Sequence, residues 1–317
     1  MARPGDLTRV VELPGPWTHR HVAANGARFH VAESEPGQVA ADAPLVLLLH
    51  GFPQFWWSWR HQLPALAGAG YHAVAMDLRG YGGSDKTRDG YDPFTLAGDV
   101  VGVVKALGRR QAVLVGQGWG GYVAWAAAVL HPREVSALAV VSAPHPTVVQ
   151  HAFRRGLHGE ALRHVLTMQL PFLPERQLAD PHGGRVAAHL TSWAAPGSGF
   201  PDAEAVTTYQ SAISLWPASH CALEYHRWLV RSRLRNDGRA FARRLAEPVR
   251  QPVLALSGEL DPAVPREAMR RSQRYVAGPM TERTLPGVGH FAPEEDPEAL
   301  TAALLDWLAG LPDLRGR

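Results

Sequence analysis

The segment Pro44-Leu-Val-Leu-Leu-Leu-His50 constrains the architecture of this 317-residue chain more than any other. An unbroken apolar run of that length suits a strand covered on both faces, as in the middle of a parallel sheet, and is far too short to span a bilayer. The chain after it alternates. Segments 57–66, 94–107 and 120–130 carry helical spacing, and segments 71–77, 111–116 and 135–141 read as strands. Such alternation predicts an α/β fold with a mostly parallel central sheet, helices on both faces, and strand C-termini gathered on one ligand-binding edge. Upstream, 27–32 reads as an edge strand and 35–43 as a loop.

The alternation stops near Pro144. From there to about Asn236 the sequence is mostly helical, broken at Pro171, Pro174, Pro181, Gly183, Pro196 and Pro217. It then resumes, with strands expected at 253–257 and 281–285 and helices at 266–275 and 297–308. A core interrupted once predicts three stretches: 1–143 and 237–317 as the two parts of one core, and 144–236 as an inserted helical cap.

With 46% hydrophobic residues the chain has ample material for a core. The formal net charge is only +3, and Lys86 and Lys105 are the only lysines, so arginine supplies the positive charge. The arginines are interspersed with acids, and the densest group, Arg231, Arg233 and Arg235, alternates with apolar residues as one polar face does. Nucleic-acid binding has no motif behind it. Cys221 is the only cysteine, which excludes an internal disulfide and a multi-cysteine zinc site. No phosphate loop occurs, and His145, His220 and His226 lack ligand spacing, so neither cofactor nor metal is expected. Residues 1–17 hold no apolar run resembling a signal peptide, so the expected location is the cytoplasm, without membrane insertion. The expected partner is a small molecule.

Three segments at expected strand ends carry chemistry. Gly116-Gln-Gly118-Trp-Gly-Gly121 joins a strand to a helix, the setting of a nucleophile elbow. Gly258-Glu-Leu-Asp261-Pro262 and Gly287-Val-Gly-His290-Phe291 follow the last two strands. Acid before late histidine is the order in which a carboxylate fixes an imidazole that serves as general base. Asp261 and His290 are therefore the candidate pair, with Glu259 a weaker candidate acid. His50-Gly-Phe52-Pro53 would bring the Phe52 N–H beside that of Trp119, where an oxyanion forms. The Asp77 to Ser84 loop reads as structural, braced by Asp77 and Arg79.

Together these segments resemble the epoxide hydrolase and haloalkane dehalogenase branch of the α/β-hydrolases. The stretch His50-Gly-Phe-Pro-Gln-Phe-Trp-Trp-Ser-Trp-Arg60, the loop after Asp77 and Trp119-Gly-Gly121 are similar to the epoxide hydrolase version, and the likeness runs from about Trp17 to Leu308. The resemblance implies an elbow aspartate that forms an alkyl-enzyme ester, a His–Asp pair that drives its hydrolysis, and two cap tyrosines that hold the epoxide oxygen. Carried over, the nucleophile falls on Gly118, the acid on Asp261, the base on His290, and the oxyanion donors on Phe52 and Trp119. The tyrosine positions fall on Thr167 and His226. Tyr225, adjacent to the latter, is turned by about 100° on a helix.

Glycine cannot form an ester, and it relieves the strain of an elbow backbone. Three readings stay open. The first is a hydrolase of a small apolar epoxide or ester in which His290 and Asp261 activate water directly. The second is an inactive pseudo-hydrolase that binds a small apolar ligand. The third is a lyase using the His–Asp pair for proton abstraction.

Overall fold

The computed structural model describes residues 9–35, 37–155 and 159–312. Its strands are β1 (Trp17–Ala24), β2 (Ala27–Ser34), β3 (Leu45–Leu49), β4 (His72–Met76), β5 (Ala112–Gln117), β6 (Val135–Val141), β7 (Val253–Gly258) and β8 (Met280–Leu285). They form one eight-stranded sheet in the order β1-β2-β4-β3-β5-β6-β7-β8. The β4-β3-β5-β6-β7-β8 portion is parallel, and β2 runs antiparallel to both β4 and β1. All five residues of β3 are buried, as its sequence predicts.

The helices of the first part of the chain are α1 (Gln62–Gly68), α2 (Pro93–Ala106) and α3 (Trp119–Leu130). Between β6 and β7 come α4 (Pro146–Arg155), α5 (Gly159–Thr167), α6 (Leu173–Ala179), α7 (Arg185–Trp193), α8 (Ala203–Ser214), α9 (Ala218–Arg231) and α10 (Asn236–Arg244). The last are α11 (Arg266–Arg271), α12 (Ala292–Glu295) and α13 (Pro297–Ala309). Among the described residues none of these helices is long and apolar enough to cross a membrane.

Three expectations shift. The edge strand is β1, so the 27–32 strand lies one place inward. Only Val22 of β1 is fully buried, so that strand lacks the apolar alternation that would reveal it. Segment 57–66 divides into a 3-10 turn, Trp56–Trp59, whose first N–H donates to the Asp77 carboxylate at 2.8 Å, and α1. Segment 266–275 divides into α11 and the 3-10 turn Ser272–Tyr275.

Loops at the C-terminal edge are held by buried polar groups. Asp77 also accepts from the Gly83 N–H at 2.8 Å and pairs with His30 Nδ1 at 2.8 Å. Arg79 grips Asp99 on α2 with two bonds, 2.7 and 2.6 Å, and Tyr225 on α9 donates to the Arg79 carbonyl at 2.7 Å. These bonds fasten both α2 and the β6–β7 helical excursion to one loop. Helix α2 itself starts on Asp92, whose carboxylate accepts from the Phe94 and Thr95 N–H groups ahead of Pro93 in the first turn.

Candidate active site

Helix α3 begins directly after β5, and glycine bears on the turn between them twice, as a relief of strain at Gly118 and as a steric need at Gly120. Gly118 stands at φ +54°, ψ −117°, a conformation that L side chains rarely adopt. A Cβ on Gly120 would lie 2.1 Å from the Leu49 carbonyl oxygen, so only glycine lets α3 pass that close to β3. The turn aims the start of α3 into a cavity of about 970 Å³ bordered by Gly118, Trp119, Phe52, His164, His226 and His290, among others. The free N–H groups and dipole of a helix N-terminus favour negative charge there.

His290 enters from the loop after β8. Its Nδ1 pairs with Asp261 Oδ2 at 2.9 Å, and the other carboxylate oxygen of Asp261 accepts the Ala263 and Val264 N–H groups at 2.8 and 3.0 Å. The backbone N–H of His290 donates to the Trp193 carbonyl at 2.9 Å, and its own carbonyl accepts from Gln117 Nε2 at 3.0 Å. A Cβ built on Gly118 would lie 3.4 Å from His290 Nε2. The imidazole is thus aimed at the place a side chain at position 118 would occupy.

Opposite lies a wall of imidazoles. His226 Nδ1 meets the Ala222 carbonyl at 3.2 Å and must carry the hydrogen, so its Nε2 is an acceptor. Trp119 Nε1 donates to that Nε2 at 3.0 Å, and His164 Nε2 approaches it at 3.0 Å. His164 Nε2 therefore carries a hydrogen and competes with the indole for one lone pair. His189 stacks on His164 with ring centroids 4.8 Å apart, and its Nε2 is buried without a hydrogen bond among the described residues. Phe52 lies edge-on to all three rings. Burial depresses all three basicities, reinforced by neighbouring imidazoles for His164 and His189, and brings His226 to about 4. All three are neutral at pH 7. Among the described residues no group of three or more His, Cys, Asp or Glu is arranged to hold a metal ion.

Gly118, Trp119, Phe52, His226, His290 and Asp261 therefore converge. Three candidates do not. Thr167 turns its hydroxyl back to the Arg163 carbonyl at 2.7 Å, and the α5 residues that border the cavity are His164, one turn earlier, and Val165. Tyr225 is spent on the Arg79 carbonyl, on a different face of α9 from His226. Glu259 accepts from the Gly287 N–H at 2.9 Å rather than from His290.

Two hydroxyl groups escaped sequence reasoning. Tyr122 and Ser142 border the cavity, and neither hydroxyl makes a hydrogen bond among the described residues. Burial pushes the Tyr122 phenol up. Ser142 follows β6 directly at φ +50°, its N–H donating to the Leu256 carbonyl at 2.9 Å. Its place at a strand C-terminus was the one available signal.

A parallel sheet, a glycine-bearing elbow and a His–Asp pair on the following strand ends define a class, and residues 44–297 match the model of the alpha/beta hydrolase fold family. The chain belongs to that family. Within it, the chain is epoxide hydrolase-like. It is 36% identical to epoxide hydrolase A of Mycobacterium tuberculosis, over 93% of this chain and 98% of that protein. It is 32% identical to epoxide hydrolase 3 of Xenopus tropicalis, over 90% of this chain and 75% of that one. The crystal structure of epoxide hydrolase A from Mycobacterium thermoresistibile superimposes with a TM-score of 0.78 at 30% identity, covering 93% of this chain and 99% of that one.

Proposed function

We propose that this protein hydrolyses small apolar epoxides or esters by direct, base-driven attack of water, with Gly118 standing at the nucleophile position and no covalent enzyme intermediate. The observation that carries the reading is the open space above Gly118, with His290 Nε2 3.4 Å from where a Cβ would begin. A water in that space is within reach of a base whose other nitrogen is held by Asp261.

For an epoxide, the water oxygen bonds to a ring carbon as the C–O bond breaks, and the water proton passes to His290 Nε2. His164 Nε2–H, weakly engaged with His226, turns to the ring oxygen and steadies the developing alkoxide. His290 then returns its proton to that oxygen, giving a diol. For an ester, the carbonyl oxygen takes the negative charge beside the Phe52 and Trp119 N–H groups, and His290 protonates the leaving alkoxide. A neutral imidazole serves here as a hydrogen-bond donor, not as an acid. In this reading 144–236 acts as a cap that shields the reaction from bulk water, with 1–143 and 237–317 as the core beneath it. Names of the relatives and the largely apolar interior of the cavity support the substrate class.

The test is turnover of an epoxide and ester panel by the purified chain beside His290→Ala. General-base catalysis contributes about 10²–10⁴-fold, so a loss of that size is expected in the variant. Equal background rates in both proteins would sink the hydrolase reading and favour an inactive ligand-binding relative.

A further inference from the structure

The cavity is not uniform along its length. Gly118, His164, His226 and His290 form its deep end, and the exposed lining residues gather at the other, between α4 and the segment 262–275. Those exposed residues include His151, Glu267, Arg271 and Arg274. Among the described lining residues Glu267 is the only carboxylate, and both of its oxygens are taken, one by Arg271 at 3.1 Å and the other by Arg270 at 2.5 Å. Arg274 makes no ion pair or hydrogen bond among the described residues. Among the described lining residues the mouth therefore carries two guanidiniums, Arg271 and Arg274, against one carboxylate already shared with Arg270, while the interior is mostly apolar.

We infer that the ligand of this cavity is amphipathic, an apolar body directed toward His290 and a carboxylate that remains at the mouth with Arg274 and Arg271. This rests on the reading of the cavity as the reaction site and adds the substrate's charged end. A carboxylate cannot travel to the deep end without being stripped of water among apolar side chains and the buried, weakly basic His164 and His226. At the mouth it keeps part of its hydration and meets planar guanidiniums suited to a bidentate grip. Low-dielectric walls around a cationic rim also concentrate anions at the entrance. The charge pattern thereby orients the ligand, with its reacting group at the apolar end.

Trp119 and Trp193 line the cavity, so tryptophan fluorescence reports occupancy without requiring turnover. The probes are dodecanoate, dodecanol, dodecylammonium and dodecyl phosphate, titrated into the whole chain at low salt. Dodecanoate is expected to bind about fivefold more tightly than dodecanol, within the range of partly exposed charge pairs, and the advantage should shrink with added salt. Arg274→Glu should erase that advantage while dodecanol binding holds, and Arg274→Lys should keep most of it. Equal binding of dodecanoate and dodecanol, or a preference untouched by Arg274→Glu, would overturn the inference. Tighter binding of dodecyl phosphate than of dodecanoate would overturn the carboxylate assignment. Because every arm reads binding, absence of epoxide hydrolysis would count against the proposed reaction and leave this result intact.

Discussion

At the scale of single residues, Gly118 and the His290–Asp261 pair separate backbone strain from chemistry. Gly118→Ala adds a Cβ that meets only van der Waals contact, so its cost is conformational, at φ +54° and ψ −117°. A non-glycine residue held in such a region costs about 1–3 kcal/mol, and urea unfolding of Gly118→Ala should register a loss of that order. Gly118→Asp should lose similar stability yet present a carboxylate to His290. If the remaining machinery is competent, an alkyl-enzyme adduct should then be detectable by mass spectrometry after rapid quenching with an epoxide. Asp261→Asn leaves the shape of the acid loop but not the tautomer of His290, so kcat should fall by about 10³–10⁴-fold with KM little changed. Asp261 and His290 were legible because a carboxylate and an imidazole following successive apolar strands have few other places to meet. His164 was not, because its role depends on helix phase. His164 on α5 and Met168 just past its end, four apart, are both buried, which leaves Thr167 on the neighbouring, less buried side. The same 100° step divides Tyr225, bound to Arg79, from His226 at the cavity.

At the scale of elements, α5, α7 and α9 each bring one imidazole to Phe52 and the start of α3. This junction joins the helical excursion to the sheet edge through His164, His189 and His226, with Arg185 as the nearby cation acting on the first two. Its pH dependence follows from burial. The three imidazoles have depressed basicity in the folded chain, whereas in the unfolded chain they titrate near 6.5. The unfolded state therefore binds more protons below pH 6.5, and stability, complete above that value, declines as pH falls toward the folded value of about 4 for His226. That interval corresponds to a penalty on the order of 3 kcal/mol for His226 alone. Chemical denaturation from pH 7.5 to 4 should show this acid slope, and it should be shallower in His226→Gln. An unchanged slope would mean that His226 is accessible to protons in the folded chain. The helical character of 144–236 was legible from its proline-punctuated pattern. The convergence of three helices on Phe52 was not, since no local spacing records which helix faces which.

At the scale of the whole molecule, the sheet acts as a frame that delivers five loops to one edge, and the helices between β6 and β7 turn that edge into a chamber. The parallel order was readable from apolar runs because central strands need nothing but apolar residues. The chamber's second wall was not readable, because it is built from α4 and α11, more than a hundred residues apart. That wall makes the length of the cavity testable. Ala268, on α11, lines the passage between the mouth and His290 and is partly buried rather than packed into the core. A tryptophan there narrows the passage without touching Gly118, His164, His226 or His290. Ala268→Trp should therefore leave kcat/KM for a compact substrate such as an unsubstituted phenyl epoxide within about threefold. For a long-chain epoxide it should lower kcat/KM by about tenfold or more, as expected when a fitted pocket loses room for several methylenes. Parallel losses for both substrates would mean that the segment at 262–275 bears on the acid loop, and hence on Asp261, rather than on ligand length. Unchanged rates for both would mean that ligands reach His290 by another route, through the helices between β6 and β7. The chamber would then be open at two ends, and the arginine rim would guard only one of them.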